Sequence, residues 1–186
     1  MEKVINQNLS WLEVGAMKVG APPRPVRDAF LDARMVRLKA GTKLYKFNTW
    51  PSLQADKVGN VTPWWSPYNA YDVDPGWQAK LSMAKNLNIS IRELGRVTSA
   101  ITDTWNSLQY CVTIMLKVDM GVAYGRFKQQ VRHGEGASQI ITFPAVQPEW
   151  QGKTANLPGG GRQFFIPNLK PEYYGGSVST ISLLGL

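Results

Sequence analysis

Cysteine and histidine are close to absent: the 186-residue chain carries one of each, Cys111 and His133. One cysteine rules out a disulfide framework, and the pair cannot build a zinc site of the usual multi-histidine or multi-cysteine kind. No metal is expected. The metalloprotease helix H-E-x-x-H is missing, and so is the G-x-S-x-G elbow that would set a nucleophilic serine beside His133. Cys111 lies within the apolar run QYCVTIMLKV, residues 109–118, and reads as a small buried hydrophobe. No apolar run approaches the ~20 residues that a bilayer-spanning helix needs. The opening residues MEKVINQNLS have neither the basic start nor the apolar centre of a cleaved signal peptide. The expectation is a chain made in the cytoplasm, with any export by another route. Acidic residues are also scarce, 13 Asp and Glu against 21 Lys and Arg, for a formal charge of +8. A nucleic acid, a dinucleotide, an acidic protein or a membrane surface would each suit that charge.

What the chain does have is apolar and aromatic mass: 44% hydrophobic residues, with seven Trp, seven Tyr and six Phe. That suffices for one ordinary core, so a single domain is expected over residues 26–186. Residues 1–25 read as an arm or linker, because the prolines of GAPPRP (20–25) break any helix. A short helix is allowed by NQNLSWLEVGAMKV and another by PVRDAFLDARMVRL. Ala40–Asn48 then alternates Leu44, Lys46 and Asn48 against Tyr45 and Phe47, the period of a strand. From Trp50 to Asp74 frequent Pro, Gly, Asn and Ser predict a long aromatic loop. Asp74-Pro75 is a helix start leading into GWQAKLSMAKNL. Ser90 and Glu93 have capping-box spacing ahead of Ile91, Leu94, Val97, Ile101 and Trp105. Beyond Ser107 the character becomes β: QYCVTIMLKV, GVAYGRFKQQV, SQIITFPAV, RQFFIPNL and SVSTISLLGL are short, β-branched or aromatic, and bounded by turn residues. Helices first and a β meander after predict an α+β fold.

The stretch LPGGGRQFF (157–165) is not a phosphate loop. No Gly-Lys-Ser/Thr follows its glycines, and they open a strand and not a helix. Together with KLYKF (43–47) and TPWWSPY (62–68), it makes a set of three strand-associated stretches that resembles the ADP-ribosyltransferase fold, in particular diverged bacterial toxins and their NAD-hydrolysing relatives. The resemblance implies a split β-core of two packed antiparallel sheets with flanking helices, and NAD as substrate. It places Lys46 at the cation of the first strand, Ser66 at the serine of the second, and Gln163 at the catalytic position of a late strand. Phe47, Trp64, Trp65 and Arg162 would complete the NAD pocket, with Lys46 and Arg162 toward the pyrophosphate. A target-recognition loop would carry Trp150, Gly159, Gly160 and Gly161. Two residues depart from the family pattern. Lys46 replaces an arginine and loses its bidentate fork; Gln163 replaces a glutamate and cannot carry the charge that stabilises an oxocarbenium-like transition state. The resemblance further implies an effector used in bacterial competition, delivered by a specialised secretion route into a target cytosol. Its partners would be a macromolecular acceptor and an immunity protein.

Other readings stand beside this one. Lys46 suits an exposed strand charge, Ser66 a turn hydroxyl, and PGGGRQFF a hairpin entering a core strand. The segment QVRHGEG brings Arg132, His133 and Glu135 together, a cation, a base and an acid of the kind that RNA transesterification uses. On a strand, however, Arg132 would face away from His133 and Glu135. A third possibility is a basic interaction module with tryptophans as its contact surface.

Overall fold

The computed structural model describes residues 4–17, 24–102, 105–131 and 156–184. Its elements in chain order are β1 (Val4–Ile5), α1 (Trp11–Val14), β2 (Ala16–Met17), β3 (Arg24–Pro25), a 3-10 turn at Val26–Ala29, β4 (Arg34–Leu38), β5 (Lys43–Asn48) and β6 (Trp64–Pro67). Two helices follow, α2 (Gly76–Asn86) and α3 (Ile91–Ser99), and then β7 (Tyr110–Leu116), β8 (Asp119–Arg126), β9 (Gln130–Val131), β10 (Asn156–Leu157), β11 (Arg162–Phe165) and β12 (Tyr174–Ser182). The α+β class holds. No helix among the described residues is long and apolar enough to cross a membrane.

Eight strands form one hydrogen-bonded sheet in the order β1-β8-β11-β6-β5-β7-β12, with β4 on the other side of β8. The expected pair of separate sheets is therefore one curled sheet with two halves. The join is β6, whose Trp64 and Trp65 pair with β11 while its Ser66 and Pro67 pair with β5. A four-residue strand that changes partner halfway along obliges the two halves to diverge there. Every pairing in the large sheet is antiparallel except β1 with β8.

Apolar residues from both halves meet on one face of the curl: Leu38, Leu44, Trp65, Ile114, Met120, Tyr124 and Phe164 form a single buried cluster. The opposite face is covered twice. Val26, Phe30, Phe127 and Phe165 pack under the N-terminal segment, and Tyr45, Phe47, Trp77, Leu94 and Cys111 under α2 and α3. Burying such side chains contributes about 1.5–3 kcal/mol each before chain entropy is counted. Burial also pushes the Cys111 thiol up to about 12, so it behaves as a hydrophobe.

Local chemistry places several elements where the sequence suggests. The Asp74 carboxylate accepts from the Gly76 N–H at 2.8 Å at the entry to α2, and Ser90 Oγ accepts from the Glu93 N–H at 3.1 Å at the start of α3. Elsewhere pairing overrides local pattern. Residues 34–38, expected as helix, run as β4 because they form a five-residue register with β8, from Arg34 opposite Tyr124 to Leu38 opposite Met120. The aromatic loop contains β6, held by ladders on both sides. The N-terminal segment lies on the domain: β1 adds in parallel to Asp119 and Met120, and Val14 is buried against the Val26–Phe30 region.

One carboxylate fastens β4 to β8. Asp119 accepts from the Ala40 N–H (2.8 Å), Lys39 Nζ (2.9 Å) and Arg37 Nη2 (2.7 Å). The Ala40 amide and the Lys39 ammonium, assisted by Arg37, hold its carboxyl down to about 2 against the opposing effect of desolvation. A folded-state value below the unfolded one, about 3.9, means that the contribution is present above pH 4 and is lost as pH falls toward 2. Asp119→Asn is therefore expected to lose less stability than wild type between pH 5 and pH 2, measured by urea unfolding. Parallel pH profiles for the two proteins would refute this.

Candidate functional site

The place where the halves part is also where the residues singled out from the sequence gather. Side chains alternate between faces along a strand, so β6 sends Trp64 and Ser66 to one side and Trp65 to the other. Trp64 stands edge-on to Phe165, ring centroids 4.6 Å apart, and also contacts Phe30 and Phe127. Gln163 is two residues before Phe165 on β11 and so shares that face. Ser66 and Gln163 thus lie on the same side of the sheet, flanking the last β6–β11 pair, Trp65 with Phe164. Both are buried, 3% and 6% exposed.

Ser66 also pairs in register with Tyr45, and a polar chain runs from there toward α2. As register partners, the Ser66 and Tyr45 side chains lie on the same face of the sheet. Lys80 Nζ donates to Tyr45 Oη at 3.2 Å and to the Asp74 carboxylate at 2.7 Å. Burial first, and then the Asp74 charge, raise the Tyr45 phenol far above its ordinary value. It stays protonated. Because Tyr45 Oη accepts from an ammonium, its own proton is free to be donated onward.

Lys46 is on the other face. Its ammonium sits 5.9 Å from the centroid of the Trp65 ring, and it has no hydrogen-bond or ion-pair partner among the described residues. Burial lowers its amine to about 8. Lys46 and Ser66 do not line one pocket. Trp65 is fully buried, with Nε1 donating to the Thr62 carbonyl at 2.9 Å. Phe47 is enclosed by Tyr45 and Trp77. Both rings are packed into the core.

Arg162 begins β11 and belongs to a chain of charges at the rim. It reaches Asp32 at 3.3 Å and Asp72 at 3.6 Å; Arg126 reaches Asp32 at 2.9 Å and Arg34 reaches Asp72 at 3.2 Å. Desolvation opposes ionisation of Asp32, but the Arg126 amide and side chain and the Arg162 charge hold its carboxyl below the usual range.

Gly159–Gly161, expected to belong to a target-recognition loop, are docked. Gly159 N–H donates to the Val97 carbonyl (3.0 Å), Gly160 N–H to that of Phe127 (3.0 Å) and Gly161 N–H to that of Thr98 (2.7 Å). They tie the C-terminal turn of α3 to the strand pair β8–β11. Trp150, Arg132, His133 and Glu135, and the strand expected over 138–146, lie outside the described residues.

Fold and site together define an α+β chain with a curled, nearly all-antiparallel sheet and its polar residues at the junction of two halves. No protein-family model and no curated protein matches the chain. Among solved structures, Rhs1-CT in complex with its cognate immunity protein RhsI1 is similar at 15% sequence identity and a TM-score of 0.48, over 86% of this chain and 87% of that one.

Several residues at the junction carry no local motif. Tyr45 reads as one more aromatic on a strand, Asp74 as a helix-start residue and Lys80 as an ordinary residue of the helix that follows. Asp32 with Arg34, Asp72 and Arg126 come from three separate segments. The one signal available in advance was alternation: Tyr45, not Lys46, takes the face opposite Leu44.

Proposed function

We propose that the chain is an effector enzyme of the ADP-ribosyltransferase kind that cleaves NAD at the nicotinamide–ribose bond. The observation that carries this reading is the co-facial placement of Ser66 and Gln163 at the diverging point of β6 and β11. In the reaction the C–N bond between ribose C1′ and nicotinamide breaks, the electron pair leaves with nicotinamide, and water or a macromolecular nucleophile adds to C1′. Gln163 would accept or donate a hydrogen bond at a ribose hydroxyl, holding the sugar while positive charge develops. Being neutral, it supplies orientation without the electrostatic stabilisation a carboxylate would give. Ser66, beside Tyr45 on the same face, would orient the nicotinamide side. The same reading carries a macromolecular acceptor, an immunity protein and specialised delivery to a target cytosol. Lys46, on the far face, has no part in it.

The test is release of nicotinamide from NAD by the purified protein, followed by chromatography. Release by wild type, reduced about tenfold or more in Gln163→Ala and Ser66→Ala with unchanged circular dichroism, is the expected result. No release by wild type, with or without cell lysate as acceptor, would overturn the reading. Undiminished release by folded Gln163→Ala would do so equally.

A further inference from the structure

We propose that Arg34, Arg126 and Arg162 form a binding site for a diphosphate group, and that Asp32 and Asp72 close it in the free protein by occupying the guanidiniums. Three features of the rim carry this. First, donors exceed acceptors. Each guanidinium offers five N–H groups, yet among the described residues the three share two carboxylates, and their four ion-pair contacts fall on the two Oδ2 atoms. Two of those contacts are long, 3.3 and 3.6 Å, and both belong to Arg162, the most buried of the three at 16% side-chain exposure.

Second, the cations are positioned by something other than the carboxylates. The guanidinium carbons of Arg34 and Arg162 lie 5.7 and 5.5 Å from the centroid of the same Tyr124 ring. Arg34 and Tyr124 are register partners on β4 and β8, and Arg162 pairs with Arg126 across β11 and β8. Strand pairing and the aromatic ring would keep the guanidiniums together if the carboxylates withdrew. Third, the blocking groups are surface carboxylates. Asp72 sits in a two-residue turn closed by reciprocal Tyr71 and Asp74 backbone hydrogen bonds of 2.9 Å, at φ 52°, and its side chain and that of Asp32 are 30% and 34% exposed. Half-exposed ion pairs are weak. A diphosphate presents several anionic oxygens on adjacent centres and matches guanidinium forks bidentately. The cluster is confined to one ring and its neighbours, which suits two linked phosphates better than a long polymer backbone. Arg162 precedes Gln163 by one residue along β11, so the cluster lies on the other face of the sheet, with Tyr124 and Phe164.

Calorimetry with inorganic pyrophosphate at low ionic strength tests the site directly. Binding by wild type is expected, with Arg162→Gln and Arg34→Gln each weakening it about tenfold and Asp72→Asn tightening it several-fold. Arg34 is 55% exposed, so its variant keeps the test usable if Arg162→Gln fails to fold. Equal affinity in wild type and both arginine variants overturns the proposal, as does absence of binding in wild type and Asp72→Asn alike. A single-stranded RNA oligonucleotide bound more tightly than pyrophosphate, with the same losses, would overturn the diphosphate assignment in favour of a polymer. Pyrophosphate binding as described, without nicotinamide release from NAD, would sink the NAD reading and leave the site.

Discussion

Gly159→Ala and Gly161→Ala are each expected to destabilise the protein by about 3 kcal/mol, and Gly160→Ala by about 1. The three glycines are consecutive, yet their surroundings differ. A Cβ on Gly161 would come within 2.5 Å of the Thr98 carbonyl oxygen, a helical backbone atom that cannot move without breaking the 2.7 Å hydrogen bond Gly161 donates to it. At Gly159 the Cβ would meet the Phe127 and Lys128 carbonyl oxygens at 2.6 and 2.8 Å, on backbone already at φ +70°. Gly160 has φ +83° but open space around its Cβ position, so alanine there meets only the left-handed penalty, of order 1 kcal/mol. At this chain length 3 kcal/mol corresponds to a fall of roughly 6–12 °C in Tm. Thermal and urea unfolding of the three variants check the order. A Gly160→Ala variant as damaged as its neighbours would show that the glycines serve conformational freedom alone, and not close approach of backbone to α3.

Lys46→Met is expected to stabilise the protein at pH 7, by on the order of 2 kcal/mol. An ammonium on the apolar face of the sheet, with Trp65 as its partner and no carboxylate among the described residues, is disfavoured relative to water. With the folded amine at about 8 and the unfolded one at about 10.4, both states hold the proton below pH 8, and the fold bears the full cost there. Between pH 8 and pH 10 the unfolded state binds more protons, so wild-type stability rises with pH through this group. The advantage of Lys46→Met should therefore shrink as pH rises. Urea unfolding of both proteins at pH 7 and pH 10 tests it, since the difference between them cancels the other titrating lysines and tyrosines. A variant less stable than wild type at pH 7 would show that Lys46 earns its place through a contact beyond the Trp65 ring.

Much of the element order was legible from residues alone, because the signals are local. Asp74 and Ser90 satisfy N–H groups two or three residues away, and the apolar alternation of Leu44 with Tyr45 and Phe47 is a property of one segment. β4 and β6 were not legible. β4 carries a helix-compatible stretch, RMVRL, and becomes a strand through its register with β8, more than eighty residues later in the chain. β6 is short and Pro-bounded, and it exists because β5 and β11 offer it ladders on either side.

The sequence by itself determined the α+β class, the lack of a disulfide framework or a multi-histidine metal site, the starts of the two helices and the cationic excess, since composition and short-range hydrogen bonding decide all of these. Only the tertiary structure decided which of the marked residues meet. Register sets Ser66 beside Tyr45 and on the face of Gln163, and it leaves Lys46 on the opposite face under Trp65. It also docked the three glycines expected in a target-recognition loop against α3 and the end of β8, because what a glycine permits depends on the backbone that approaches it. Strand pairing between distant segments gathered Arg34, Arg126 and Arg162 at one rim, and no local pattern encodes that meeting, since each arginine's neighbour is chosen by the partner strand.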